Sequence, residues 1–200
     1  MILNDAQIEQ LALNDNMITP FIDHQVREEN GSKIISKGLS SFGYDISLAN
    51  TFMAYNGAYS VHQHSNKWNL VVDPLNFKAD DFLEKFTVEP EIGYAILPPH
   101  GYFLAHSNEY VSMPVNVNAL CISKSSYARV GVFCNTTPIE AGWKGIITLE
   151  IANLTDRPVK LYVNHGICQL QFFQGITPRV TYADRGGKYM NQTGITLPKG

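Results

Sequence analysis

From Gly93 onward the chain runs in short apolar stretches rich in Val, Ile, Tyr and Phe, separated by Pro, Gly and Asn. Stretches of this kind predict strands, here at 94–97, 102–107, 119–123, 146–153, 159–163 and 169–174. No helical pattern alternates with them, so they predict an antiparallel sandwich or barrel rather than a parallel sheet. Ahead of them, Asn4 and Asp5 followed by Ile8, Leu11, Ala12 and Leu13 combine a capping residue with near-helical spacing and predict one short N-terminal helix. A second helix candidate spans 80–86. The stretch 54–68, with three aromatics and His62 and His64, reads as a long surface excursion. The glycine-rich tail 184–200 has few apolar anchors, which predicts a mobile segment able to close over a ligand.

Within 142–153, "GWKGIITLEIAN", a carboxylate sits in the middle of a strand pattern. Side chains alternate sides along a strand, so Ile147, Leu149 and Ile151 share one face and Thr148, Glu150 and Ala152 the other. Glu150 therefore does not interrupt an apolar face. A carboxylate on the solvent side of a half-buried strand and a carboxylate set in a site both satisfy this parity.

Length and composition narrow the field. The 200 residues suffice for one domain, and no linker divides them. With 15 basic and 18 acidic residues the net charge is -3, and no run of like charges occurs, which gives no basis for nucleic-acid or anionic-membrane binding. Cys121, Cys134 and Cys168 are odd in number and lie in apolar surroundings, which predicts free thiols in a reducing cytoplasm. The N-terminal residues lack the basic start and apolar core of a signal peptide, and no stretch approaches the roughly 20 apolar residues that span a bilayer.

The familiar catalytic signatures are absent. Zinc base deaminases carry H-x-E and P-C-x-x-C, and neither occurs, nor does G-x-S-x-G, a Walker loop or a dinucleotide fingerprint. His62 and His64 offer two metal ligands at most, in a polar stretch that solvates them equally well. Three polar clusters remain. In "SKSSYARVGV", 123–132, Lys124, Ser125, Ser126 and Arg129 present hydroxyls, a point cation and a guanidinium fork suited to phosphate oxygens, although a surface loop with a salt bridge fits the same spacing. In "TTPIEAGWKG", 136–145, Glu140 lies in a short loop leading to the strand of Glu150. In "SSFGYDISLAN", 40–50, Asp45 follows a glycine between aromatic and aliphatic residues and reads as a brace for a turn.

Taken in order, "GLSSFGYDISL", "PPHGYFLAHSNEYVSMPVNV", "ISKSSYARVGVFCNTTPIEAGWKGIITLEIAN", "GICQLQFFQG" and "YADRGGKYMNQTGITLP" resemble the dCTP deaminase branch of the trimeric dUTPase superfamily. The resemblance implies a mainly β fold, a distorted jelly-roll or β-clip-like barrel with a short N-terminal helix, spanning 1–200 as one domain. It also implies a homotrimer with active sites at subunit boundaries, and Mg²⁺ carried by the substrate triphosphate with no zinc. The activity implied is hydrolytic deamination of dCTP to dUTP and ammonia, with dTTP as feedback inhibitor; a dUTP diphosphatase or a bifunctional enzyme is the alternative.

Residue by residue, Glu150 matches the family's general base, which would take a proton from the water attacking C4 of cytosine. Ser125 matches the serine that helps hold that water, together with a backbone carbonyl in the loop around Thr136. Arg129 matches an arginine close to the catalytic carboxylate, which predicts Glu150 buried beside it with Thr148 as its same-face neighbour. Lys124 and Ser126 fall where phosphates bind, and Glu140 where the 3′-hydroxyl of the deoxyribose is held. Tyr182, Lys188, Tyr189 and Gln192 match tail residues that fold over triphosphate and base. Lys124 stands where many relatives have arginine, giving a point charge without a fork. Thr137-Pro138 resembles a deaminase subgroup and stiffens the loop, which favours deamination alone.

Overall fold

The computed structural model describes residues 1–55, 72–135 and 137–199. Helix α1, Asp5–Asp15, starts at Asn4, whose side chain accepts from the Gln7 backbone N–H at 3.1 Å while Gln7 Oε1 accepts from the Asn4 N–H at 3.2 Å. This reciprocal box satisfies two of the donors that a helix start leaves open. The strand β1, Ile18–Thr19, follows, then β2, Gln25–Glu29, and β3, Ser32–Ser40. The two residues between β2 and β3, Asn30 and Gly31, both have positive φ (51° and 74°), the backbone of a tight hairpin turn that Asn-Gly favours. Strands β4, Gly43–Ser47, and β5, Thr51–Tyr55, complete the first half.

A four-residue helix α2, Ala79–Phe82, leads into β6, Leu83–Thr87, so the helix expected over 80–86 gives way to strand after one turn. Tertiary pairing overrides local preference here: Phe86 lies opposite Phe52 of β5, their rings stacked 5.3 Å apart, and Phe103 meets both edge-on. The remaining elements are β7, Tyr94–Leu97; β8, Tyr102–Ser112; β9, Val117–Ser123; α3, Ser125–Ala128; β10, Val132–Cys134; β11, Pro138–Ile139; β12, Lys144–Asn153; β13, Val159–Tyr162; and β14, Gly166–Gln174. All six predicted stretches are strands, several longer than expected. The excursion expected at 54–68 begins inside β5, and its remainder, with His62 and His64, lies outside the described residues.

Two open antiparallel sheets carry the fold. One runs β10-β12-β8-β5-β6 with β1 beside β8, the other β11-β9-β14-β4-β3-β2, and β13 pairs with β7 separately. Their inward faces build one core, in which Tyr44, Ile46, Leu170 and Phe172 of the second sheet and Ala105, Val111, Leu149 and Ile151 of the first are buried. Glu109 of β8 links the sheets: its carboxylate accepts from the Ser47 N–H at 2.9 Å and the Ser47 hydroxyl at 2.8 Å, while burial pushes its pKa up. Cys121, Cys134 and Cys168 are buried free thiols. Among the described residues no helix is long and apolar enough to cross a membrane.

Candidate active site

Strand β12 sets the frame. Ile147, Leu149 and Ile151 are buried in the core while Thr148, Glu150 and Ala152 are half-buried on the opposite face, as parity requires. The register against β8 shifts between Ile146 and Thr148, and at that bulge the Ile147 N–H donates to the Ser107 hydroxyl at 3.0 Å instead of to the ladder. Beyond the bulge Thr148 pairs with His106, Glu150 with Leu104 and Ala152 with Tyr102.

The face holding Glu150 is roofed by other segments into a cavity of about 390 Å³. Tyr102 and Leu104 of β8, Thr148 of β12 and Tyr55 of β5 line one side; Glu140 and Trp143 of the loop before β12 line another. The tail supplies the rest, with Tyr182, Tyr189, Gln192, Thr196 and Pro198. Burial is the chief cause that raises the Glu150 pKa, opposed by a hydrogen bond from the Asn135 side chain. The Tyr102 phenol is raised by burial and then by the Glu150 charge. Glu140 and Glu150 are the charged side chains lining the cavity among the described residues.

The tail, read from composition as mobile, is laid along the start of β12. The Asn191 N–H donates to the Lys144 carbonyl at 2.7 Å and the Ile146 N–H to the Gln192 carbonyl at 2.8 Å. The Trp143 indole N–H donates to the Tyr189 carbonyl at 2.8 Å, and the Thr148 hydroxyl to Gln192 Oε1 at 3.0 Å. Gly145 makes the approach possible, since a Cβ there would stand 2.8 Å from the Gln192 nitrogen. Composition could not reveal this, because the partners lie some 45 residues away, as for Trp143 and Tyr189 with |i−j| = 46.

The predicted site residues fall into two groups. Glu150, Thr148, Glu140, Tyr182, Tyr189 and Gln192 line the one cavity. Glu140 is ion-paired with Arg185 at its rim, and Lys188 Nζ donates to the Lys199 carbonyl at 3.0 Å rather than facing inward. Ser125, Ser126 and Arg129 form the second group: they are exposed on and just after α3 and do not line the cavity. Within one chain, therefore, Arg129 does not stand beside Glu150. The reason is the β10–β12 ladder, which aligns Asn135 with Glu150 at one end and Gly131 with Leu154 at the other, leaving Arg129 past the far end. Thr136 lies outside the described residues.

Helix α3 is nonetheless firmly based. Tyr127 is buried, and its hydroxyl accepts from the Tyr162 N–H at 2.9 Å. At the helix start Lys124 Nζ lies 2.5 Å from Asp45 Oδ2, with side-chain exposures of 11% and 1%. Asp45 also accepts from Gln25 Nε2 at 3.0 Å and Gln169 Nε2 at 3.2 Å, so this buried carboxylate is fully partnered. Asp45 is thus structural, as read from sequence, but it braces a strand and α3 rather than a turn. Lys124, expected at phosphates, spends its charge internally. Tyr102, Leu104, Tyr55 and Trp143 went unassigned in the sequence; the alternation within "GYFLAHS" puts Tyr102 and Leu104 on one face, but only pairing shows which carboxylate that face meets.

A largely apolar, aromatic cleft with a half-desolvated carboxylate on its floor, mounted on a two-sheet β scaffold, has the features of a small-molecule pocket with a group suited to acid-base chemistry. The dCTP deaminase-like family model matches residues 2–175, and the chain belongs to that family. It is 44% identical over 200 residues to the dCTP deaminase of Chlamydia pneumoniae, covering 98% of each chain, and 41% identical over 199 residues to that of Azotobacter vinelandii, covering 99% of this chain and 98% of the relative. Among solved structures, a 2'-deoxycytidine 5'-triphosphate deaminase from Agrobacterium tumefaciens shares the fold with a TM-score of 0.61 at 19% identity; the match covers 87% of this chain and 48% of that one.

Proposed function

We infer that this chain is a dCTP deaminase that hydrolyses the C4 amino group of dCTP, releasing dUTP and ammonia. The observation that carries the reading is Glu150, a carboxylate held in a largely apolar cavity on a rigid strand, with burial raising its pKa toward a working range. In the reaction the carboxylate takes a proton from water as the oxygen attacks C4. That proton passes by way of Glu150 to N3, leaving a hydroxyl on the tetrahedral C4, and Glu150 then carries the hydroxyl proton to the amino group. The C4–N bond breaks, ammonia leaves, and C4 becomes a carbonyl.

The base fits the cavity; the triphosphate does not belong there, since the charged side chains lining it are acidic among the described residues. Cations must reach the phosphates from elsewhere. Ser125, Ser126 and Arg129 form an exposed hydroxyl and guanidinium face whose side chains make no hydrogen bond or ion pair among the described residues, with exposed Leu120, Ile122, Val130 and Phe133 before and after them in the chain. Such a face suits a second copy of the chain. The site is accordingly completed between copies in a homotrimer, Glu150 from one and Ser125 and Arg129 from the next, with Ser125 holding the attacking water and Arg129 steadying the carboxylate. Thr136 contributes to the same water site.

Tyr182, Tyr189 and Gln192 cover the base, Thr148 orients Gln192, Glu140 receives the 3′-hydroxyl, and Lys188, once released from the Lys199 carbonyl, joins Ser126 at the phosphates, while Lys124, paired with Asp45, holds the start of α3 behind them. Mg²⁺ enters as part of the substrate, since this ion prefers phosphate oxygens and water; among the described residues no group of three or more His, Cys, Asp or Glu side chains could hold it. The stiff Thr137-Pro138 loop limits the reaction to deamination, and dTTP competes for the same triphosphate and pyrimidine contacts. Incubation with dCTP and Mg²⁺, followed by chromatography for dUTP and an ammonia assay, tests the reading. Folded trimer that yields no dUTP overturns it, and dUMP with pyrophosphate identifies a diphosphatase.

A further inference from the structure

Beside Glu150 the cavity wall carries an aromatic pair. Pairing of Glu150 with Leu104 and of Ala152 with Tyr102 puts Tyr102 diagonal to Glu150 on the same face, within reach of an aromatic ring. Tyr55, at the end of β5, meets the Tyr102 ring edge-on, with centroids 5.6 Å apart and planes at 66°. Both tyrosines line the cavity, and burial raises both phenols. The polar and titratable groups around the carboxyl come from every neighbouring element: Cys134 and Asn135 at β10, His106 on β8, Thr148 on its own strand, Glu140 in the loop, and Tyr182, Tyr189 and Gln192 from the tail. His106 is engaged with the Ser107 carbonyl at 2.9 Å, and Thr148 with Gln192. The Tyr55–Tyr102 pair is thus the apolar boundary of the carboxyl on the β8 side.

We propose that Tyr102, braced by Tyr55, is a positioning residue for Glu150, its ring closing one side of the carboxyl to water and fixing the direction in which the base faces the cavity. The proposal rests on the deaminase reading for its kinetic consequence, whereas the shielding itself is measurable without turnover. The ring does the shielding, and the phenol hydroxyl, for which no partner is needed, is dispensable. Tyr102 is only partly buried at the strand start, so its replacement opens the wall without emptying the core.

The test compares Tyr102→Phe and Tyr102→Ser with the wild-type oligomer. The Glu150 carboxyl is titrated by ¹³C NMR of nucleotide-free protein, with Glu150→Gln assigning the resonance, and kcat/KM is followed against pH. Tyr102→Phe is expected to leave the titration and the acid limb unchanged. Tyr102→Ser is expected to lower the Glu150 pKa, to move the acid limb down with it, and to reduce kcat by about tenfold or more while KM changes less. An unchanged titration in Tyr102→Ser, in protein whose urea unfolding shows it folded, overturns the proposal, as does an equal shift in Tyr102→Phe. A wild type that makes no dUTP overturns the deaminase reading instead, and the titration still decides the wall.

Discussion

Asn135 grips Glu150 twice: its backbone N–H donates to the Glu150 carbonyl at 2.8 Å, and its side chain donates a hydrogen bond to the carboxyl. The strand position and the carboxyl direction are thereby tied to one neighbour. Glu150→Gln keeps the shape and leaves an oxygen for Asn135, but it removes the proton acceptor. Deamination should fall by about 10²–10⁴-fold or beyond, the usual scale of a general base, while calorimetric affinity for dCTP with Mg²⁺ stays within a few-fold. Loss of binding in parallel with turnover would assign Glu150 to recognition.

The same carboxyl sets a pH dependence. Its pKa is raised above the ordinary 4.5, with burial as the largest cause. Only the ionised form accepts a proton from water, so kcat/KM should climb as pH rises through the raised value and level off above it. A pH-rate profile should place that limb above 4.5. A limb below the ordinary glutamate value would contradict burial as the dominant influence and give that place to the Arg129 guanidinium of the next copy.

Much of this was legible in the sequence. The alternation across 146–153 placed Glu150 on the correct face, and the capping residues at Asn4 and Asp5 marked the first helix. The hairpin at Asn30-Gly31 announced itself through a dipeptide that favours two successive positive φ values, although the early strands were not read from it. Illegible were relationships made by pairing: Tyr102 beside Glu150, Lys124 on Asp45, and the tail along β12 all join residues distant in the chain. The separation of Arg129 from Glu150 follows from the register of β10 on β12, which no local pattern encodes.

Lys124 offers a stability test. Lys124→Ala leaves the buried Asp45 carboxylate without its cation and should cost about 3 kcal/mol, the low end for breaking a buried pair. Urea unfolding should show a lower midpoint at unchanged slope. Lys124→Ala should also loosen the start of α3 and weaken catalysis through Ser125. A variant as stable as wild type would remove the pair from the account.

Glu109 predicts a second pH effect, in stability rather than rate. Burial raises its folded-state pKa above 4.5, so the folded state holds the proton where the unfolded state has lost it. Its contribution is full below the unfolded value and is lost as pH rises through the folded one. Between pH 4.5 and that folded value, wild type should lose stability relative to Glu109→Gln, measured by urea unfolding across the range. Glu109→Ala, which strands the Ser47 N–H and hydroxyl, should cost about 1–3 kcal/mol.

The division of the site between copies is tested most directly by complementation. Glu150→Gln and Arg129→Ala homo-oligomers, each inactive, are unfolded together in equal amounts, refolded, and assayed for dUTP and ammonia from dCTP. In a ring of copies, random assembly gives about a quarter of the junctions an intact Glu150 facing an intact Arg129. The mixture should therefore recover about a quarter of wild-type activity. A co-refolded mixture as inactive as its components would contradict the proposed division of the site between copies.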